Sequence, residues 1–254
     1  MRTARSTRSA RTVRPANPAR LAAGVLTGLV ALGALTACSG DGGSGGDRPT
    51  GWKEAGAEAK KLLDDTSGVE LELSTGDDPG VNYLSSARGT VVADPESFEG
   101  SVSGKVSGFS AADVPVISVD GKLWINYALL GGWTDQFNPK DLCAPDPATL
   151  LSPSSGVSGV LTSSTDMSEG KAERGGTDNK EVFRTYEGKA SGDAIRAILP
   201  CADGDSFDAT YRVDDKGYLR TARLTGVFFP GAKSMTYTID VTKYDVTKDI
   251  SAPE

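Results

Sequence analysis

Between residues 68 and 244 the apolar side chains fall, in two groups of short runs, at every second position, and that period makes the chain a sheet former. Val69, Leu71 and Leu73 alternate with Glu70 and Glu72, and residues 88–93, 98–106 and 114–127 continue the pattern. A second group follows at 181–189, 207–213, 218–229 and 234–244. Asp94-Pro95, Asp120-Gly121, the Asp214-Asp215-Lys216-Gly217 stretch and Pro230-Gly231 punctuate the runs, and Asp-Gly between alternating runs is a strong hairpin signal. Short turns between successive strands make neighbours antiparallel, so the sheet is expected to be mostly antiparallel.

Helical spacing is confined to a few places. Trp52, Ala55, Ala59, Leu62 and Leu63 recur on one side of a stretch rich in Ala, Glu and Lys, which predicts an amphipathic helix over residues 52–65 with Thr50 as its cap. Residues 138–165 mix Pro, Ser and Asp with Leu142, Leu150, Leu151, Val157, Val160 and Leu161, the composition of short helices and loops lying on one face of the sheet. A further short helix is expected from Ser191, a good N-cap, to Pro200, which stops it.

Ahead of all this the composition changes. Six of the 27 basic residues (Arg2, Arg5, Arg8, Arg11, Arg14 and Arg20) fall in the first twenty positions, and the first acid is Asp41. Residues 21–37 are uncharged and end in Leu35-Thr36-Ala37-Cys38. A basic region, a short apolar region and small residues before a cut site form a secretory signal, and the run is marginal for a spanning helix, which needs about 20 apolar residues. Leu-Thr-Ala-Cys resembles the bacterial lipobox, in which the thiol takes diacylglycerol and the chain is cut before it. The reading is a signal over residues 1–37, a lipidated Cys38 and a Gly/Ser/Asp-rich tether to residue 50, with one domain over residues 51–254. Its expected location is the outer face of the cytoplasmic membrane. An ordinary cleaved signal is the alternative, and it leaves the bulky Leu35 three residues before the cut.

Charge and cysteine usage narrow the function. The formal charge is −7, but without the leader 21 basic residues face 34 acids, a balance of −13 that disfavours nucleic acid as a partner. With Cys38 lipidated, Cys143 and Cys201 remain an even pair in an oxidising compartment, which predicts a disulfide; two buried thiols are the alternative. The chain has no histidine, so neither a metal site nor a Ser-His-Asp arrangement is expected, and no catalytic residue or cofactor is assigned. Asp203, Asp205 and Asp208 miss the spacing of a calcium loop and read as surface acids.

One strand invites a functional reading. Val102, Gly104, Val106 and Gly108 share a face, and alternating Val with Gly leaves volume that a core-facing strand would normally fill. Such a face suits a cavity; glycines marking bulges, a bend or a close approach are the competing explanation.

The signal with its lipobox, the helix after the tether, the 89–104 segment with Asp94-Pro95, Val119-Asp120-Gly121-Lys122-Leu123-Trp124, Trp133-Thr134-Asp135, the leucines of 146–161 and the strand-to-helix passage of 188–199 together resemble the actinobacterial LppX/LprA/LprG-type lipoprotein family, LprG most of all. The resemblance runs from the signal to Tyr244 and rests on order and spacing. It implies an α+β fold: a curved antiparallel sheet, half of a barrel, wrapped over several helices, with an apolar cavity between them. The implied function is to carry acylated lipids or glycolipids, with no enzymatic step, from the cytoplasmic membrane towards the envelope, with a membrane lipid transporter as a further partner. The lining expected is Val102, whose position faces the cavity in the family, with Gly104, Val106, Val116, Trp124, Leu150, Leu151, Val160, Leu161, Ile195 and Ile198. Trp124, Tyr127 and Trp133, near the expected mouth, are candidates for headgroup contact, with packing an equal explanation. The rival is a surface lipoprotein with a solidly packed interior that binds a protein or wall polymer.

Overall fold

The computed structural model describes residues 51–106, 108–128, 131–176 and 179–253. The signal, Cys38, the tether and Thr50 lie outside them.

The amphipathic helix forms where its spacing puts it, α1 at Trp52–Asp65, burying Ala55, Ala59 and Leu63. Gly51 occupies the N-cap and has no side chain to offer the first amides. Twelve strands then make one open sheet among the described residues: β1 Gly68–Ser74, β2 Tyr83–Ala93, β3 Glu96–Val106, β4 Phe109–Val119, β5 Lys122–Tyr127, β6 Gly132–Thr134, β7 Thr165–Glu169, β8 Glu173–Gly175, β9 Glu181–Ser191, β10 Ser206–Asp214, β11 Leu219–Gly226 and β12 Met235–Tyr244. The spatial order is β6-β5-β4-β3-β2-β1-β12-β11-β10-β9-β7, with β8 also on β9. Every pairing is antiparallel, and β1 joins the two meanders by pairing with both β2 and β12.

Turn chemistry explains the connections. Asp120 and Gly121 both take positive φ, the requirement of the tight turn that joins β4 to β5. In the β10–β11 turn the buried Asp214 carboxylate accepts from the amides of Lys216 and Tyr218 and pairs with Arg220 at 2.8 Å. The strands run longer than their apolar alternation: β2 begins at Tyr83 and β4 at Phe109. Sheet pairing extends into polar residues there because the neighbouring strand satisfies their backbone groups whatever the side chain.

The helical cover is thinner than the several helices expected. Among the described residues it is made chiefly of α1, α2 (Ser158–Thr162), α3 (Gly192–Ile198) and short 3₁₀ turns at Pro139–Leu142 and Pro147–Thr149. Prolines sit at the first turn of both 3₁₀ elements, and the Ser/Gly content of the segment cannot sustain a longer helix. Side-chain caps hold these pieces: Asn138 caps the first turn, Asp146 the second and Ser191 α3.

Candidate functional site

The register of the strands defines one apolar face. Its first row, reading across β1 to β5, is Val69, Val91, Phe98, Ser118 and Leu123, all buried. The second row is Leu71, Gly89, Gly100, Val116 and Ile125, and the third begins Leu73, Ala87, Val102 and Val114, with Ile239 of β12 opposite Leu73. Exposure rises along these rows. Leu71 and Ile125 are half-buried, as are Leu73, Ala87, Val102 and Ile239, whereas Val116 and Val114 of β4 stay buried, so from β12 to β3 the strip is roofed at one end of the strands and open towards the other.

Side-chain locks hold the cover over the buried end. The Ser118 hydroxyl donates to Asp146 at 2.9 Å, fixing the second 3₁₀ turn on β4. Ser158 donates to Asp64 at 2.6 Å, and Lys60 reaches both, joining α2 to α1. Trp52 stacks on Tyr211 at 4.8 Å and tilts against Tyr186 at 5.3 Å, seating α1 on β9 and β10. Burial pushes the Tyr211 phenol up to about 12, although its hydroxyl lies 2.9 Å from that of Ser164; burial also raises Tyr186, Tyr237 and Tyr244. Cys143 and Cys201 form the disulfide, Cα atoms 5.5 Å apart, so the loop after the first 3₁₀ turn is fastened to the segment after α3.

The expected lining residues divide. Val116, Leu151, Val160, Leu161 and Ile195 are buried in the core, with Leu150 and Ile198 half-buried against it. Val102 lies on the open row. Trp124 departs from the expectation: it pairs with Ile117, in register with Glu99, on the face opposite Val116. Its Nε1 is buried with no hydrogen-bond partner among the described residues, and Lys122 sits 5.5 Å from its ring centre. Trp133 shares that side through Asn126, whereas Tyr127, two residues on from Ile125, shares the face of Val116. Val106 is 53% exposed at the β3–β4 turn.

Glycine takes the packing role rather than the cavity role at three positions. Gly89 and Gly100 are directly paired, and a Cβ on Gly100 would stand 2.1 Å from the Arg88 carbonyl oxygen and 2.6 Å from Phe98 Cζ. The Phe98 ring lies against this glycine pair. At Gly104 a Cβ would stand 2.5 Å from the Tyr83 carbonyl oxygen, beside register shifts towards both neighbouring strands. The residues that single-strand reading missed, Leu71, Leu73, Ala87, Ile125 and Ile239, carried only an alternation signal; pairing was needed to set them on Val102's face.

Two hollows stand out, one of mixed lining and one polar. One of about 350 Å³ lies between the end of α1 and the β2–β3 turn, lined by Asp64, Asp94 and Glu96 among others. The other, about 440 Å³, lies on the opposite face among Glu70, Glu72, Arg88, Glu99 and Lys248. Neither is the apolar cavity expected between sheet and helices. Of the acids weighed for calcium, Asp208 pairs with Lys189 and Asp205 stands 3.8 Å from Arg196.

An open, curved antiparallel sheet with a sparse helical cover on its apolar face is the half-barrel class of lipoprotein domain. The chain belongs to the LppX_LprAFG lipoprotein family, whose model matches residues 53–252. Among solved structures, LprF from Mycobacterium bovis is similar with a TM-score of 0.65 at 12% identity, covering 82% of this chain and 99% of that one. The lipoprotein LppX of Mycobacterium tuberculosis is similar with a TM-score of 0.56 at 13% identity, covering 79% and 98%. At such identities the likeness is one of fold. No curated protein matches the sequence.

Proposed function

We propose that this protein is a carrier that binds acylated lipids or glycolipids on the apolar face of its half-barrel and moves them from the cytoplasmic membrane towards the cell envelope, without an enzymatic step. The observation that carries this reading is the half-buried row Leu73, Ala87, Val102 and Ile239, apolar on four adjacent strands yet left short of cover. Membership of a lipoprotein family supports it. Each methylene withdrawn from water contributes about 0.8 kcal/mol, so a single acyl chain laid along this strip binds strongly and release becomes the demanding step. The small locked pieces over the sheet suit that step, since each is fastened by a few bonds rather than by a long helix. Cys38 lipidation after removal of residues 1–37 holds the domain of residues 51–254 on the outer face of the membrane, where a membrane lipid transporter is a fitting donor. Lipid at the mouth meets Tyr127 as its nearest expected headgroup contact.

Native mass spectrometry of the mature chain from an actinobacterial host tests this, the expected result being a bound mass of lipid size. A clean unliganded mass together with no uptake of added glycolipid rejects it. That outcome favours a second reading, a packed module binding a protein or wall polymer, for which the buried first row and the glycine pair under Phe98 speak.

A further inference from the structure

Among the described residues the most exposed large apolar side chains are Phe109, 77% exposed, and Val106, 53% exposed, and they are paired with each other at the end of β3 and the start of β4. A pair so exposed is uncommon on a protein that keeps its surface polar, and contiguous exposed apolar groups mark interaction sites. The surrounding sequence is uncharged from residue 106 to residue 112. The charges that bracket it are spoken for: Lys105 pairs with Asp78 at 3.3 Å and Asp113 with Arg88 at 2.8 Å. The tip is therefore neutral as well as apolar, although the chain beyond its leader is strongly acidic.

Its place in the fold is specific. The Val106–Phe109 pair closes the β3–β4 ladder at the end of the sheet towards which the apolar rows open, and Val102 lies four residues along β3 from Val106, about 13 Å at strand rise. The third exposed apolar residue, Leu142, precedes Cys143, whose disulfide partner lies in the β9–β10 connection at that same end.

The occupant follows from the chain outside the structure. Thirteen residues from Cys38 to Gly51 reach at most about 45 Å, longer than the roughly 16 Å radius of gyration expected for a domain of this size. A leash of that length keeps the domain near the bilayer and leaves its orientation unset. We infer that Val106 and Phe109 insert their side chains into the bilayer surface and turn the open end of the apolar face towards the membrane. This rests on the carrier reading for its purpose but not for its geometry. Insertion is driven by apolar contact and needs no anionic lipid, in contrast to docking through Lys and Arg clusters.

The test uses the full lipidated chain reconstituted in phosphatidylcholine vesicles whose acyl chains carry bromine. With Phe109→Trp, bromolipid is expected to quench the introduced indole about two-fold or more, unchanged by added salt, against the smaller quenching of Trp52, Trp124 and Trp133 in the unaltered chain. Phe109→Ser is expected to slow lipid transfer between vesicles about ten-fold while co-purified lipid stays constant. No additional quenching from the introduced indole overturns the docking, whether or not lipid co-purifies. A doubled mass of the Cys38→Ala chain that Phe109→Ser abolishes also overturns it, assigning the tip to a second copy. Quenching without any co-purified lipid upholds the docking and removes the carrier reading instead.

Discussion

At the scale of single residues, Val102 and Gly100 are neighbours on one face with opposite tolerances. Val102 stands on the open row, so Val102→Trp is expected to leave the domain folded and to abolish lipid loading, read by native mass spectrometry beside circular dichroism. Loss of the folded signal would make that position core. Gly100 has no such room: Gly100→Val drives a side chain into backbone 2.1 Å away and is expected to destabilise the domain by about 3 kcal/mol or more in urea unfolding. The tyrosines supply a pH signature. A phenol held neutral by burial has a folded-state pKa above its unfolded value near 10, so its contribution is complete below about pH 10 and is lost as pH rises through the folded value. For Tyr211 that window runs to about 12. Stability should therefore fall by up to about 1.4 kcal/mol per pH unit per buried tyrosine above pH 10, and Tyr211→Phe should flatten the fall. Tyrosinate absorbance rising before, rather than with, unfolding would refute this.

At the scale of elements, the helical cover holds by few contacts, and each can be cut. Ser158→Ala removes the hydroxyl between α1 and α2 and is expected to cost about 1–2 kcal/mol, Lys60 still compensating Asp64. Replacing Cys143 and Cys201 by Ser releases a loop of 58 residues, with an expected loss of about 4 kcal/mol that disappears when the unaltered protein is measured under reducing conditions. The elements were unevenly legible. Helix α1, the Ser191 cap and the Asp120-Gly121 turn follow from local chemistry, and each lies where spacing or turn residues put it. The strands β6, β7 and β8 carried no alternation to read: Gly132–Thr134 and Glu173–Gly175 are three residues long, and Thr165–Glu169 has only Met167 half-buried. Trp124 was misplaced for a related reason. Its strand alternates correctly, but which face meets the core is set by pairing with β4, a contact that a single strand does not encode.

At the scale of the whole molecule, the proposed anchoring and binding are expected to be separable. Cys38→Ala is expected to release the protein from the membrane fraction while co-purified lipid persists and delivery to acceptor vesicles falls; membrane retention of that variant would reject Cys38 as the anchor. The sheet adds a property of its own. It ends in β6 on one side and in β7 and β8 on the other, all short, and no hydrogen bonds join the two margins among the described residues. Short terminal strands limit unwanted pairing with other chains. A closed barrel has a circumference dictated by strand number and shear, and enlarging its bore means breaking a ladder. A sheet without closure can splay or tighten by small changes of twist distributed over all its pairings. On the carrier reading, cargo girth then becomes an elastic variable of the fold, and such a sheet is expected to accommodate chains differing in number or branching of acyl tails with every ladder intact.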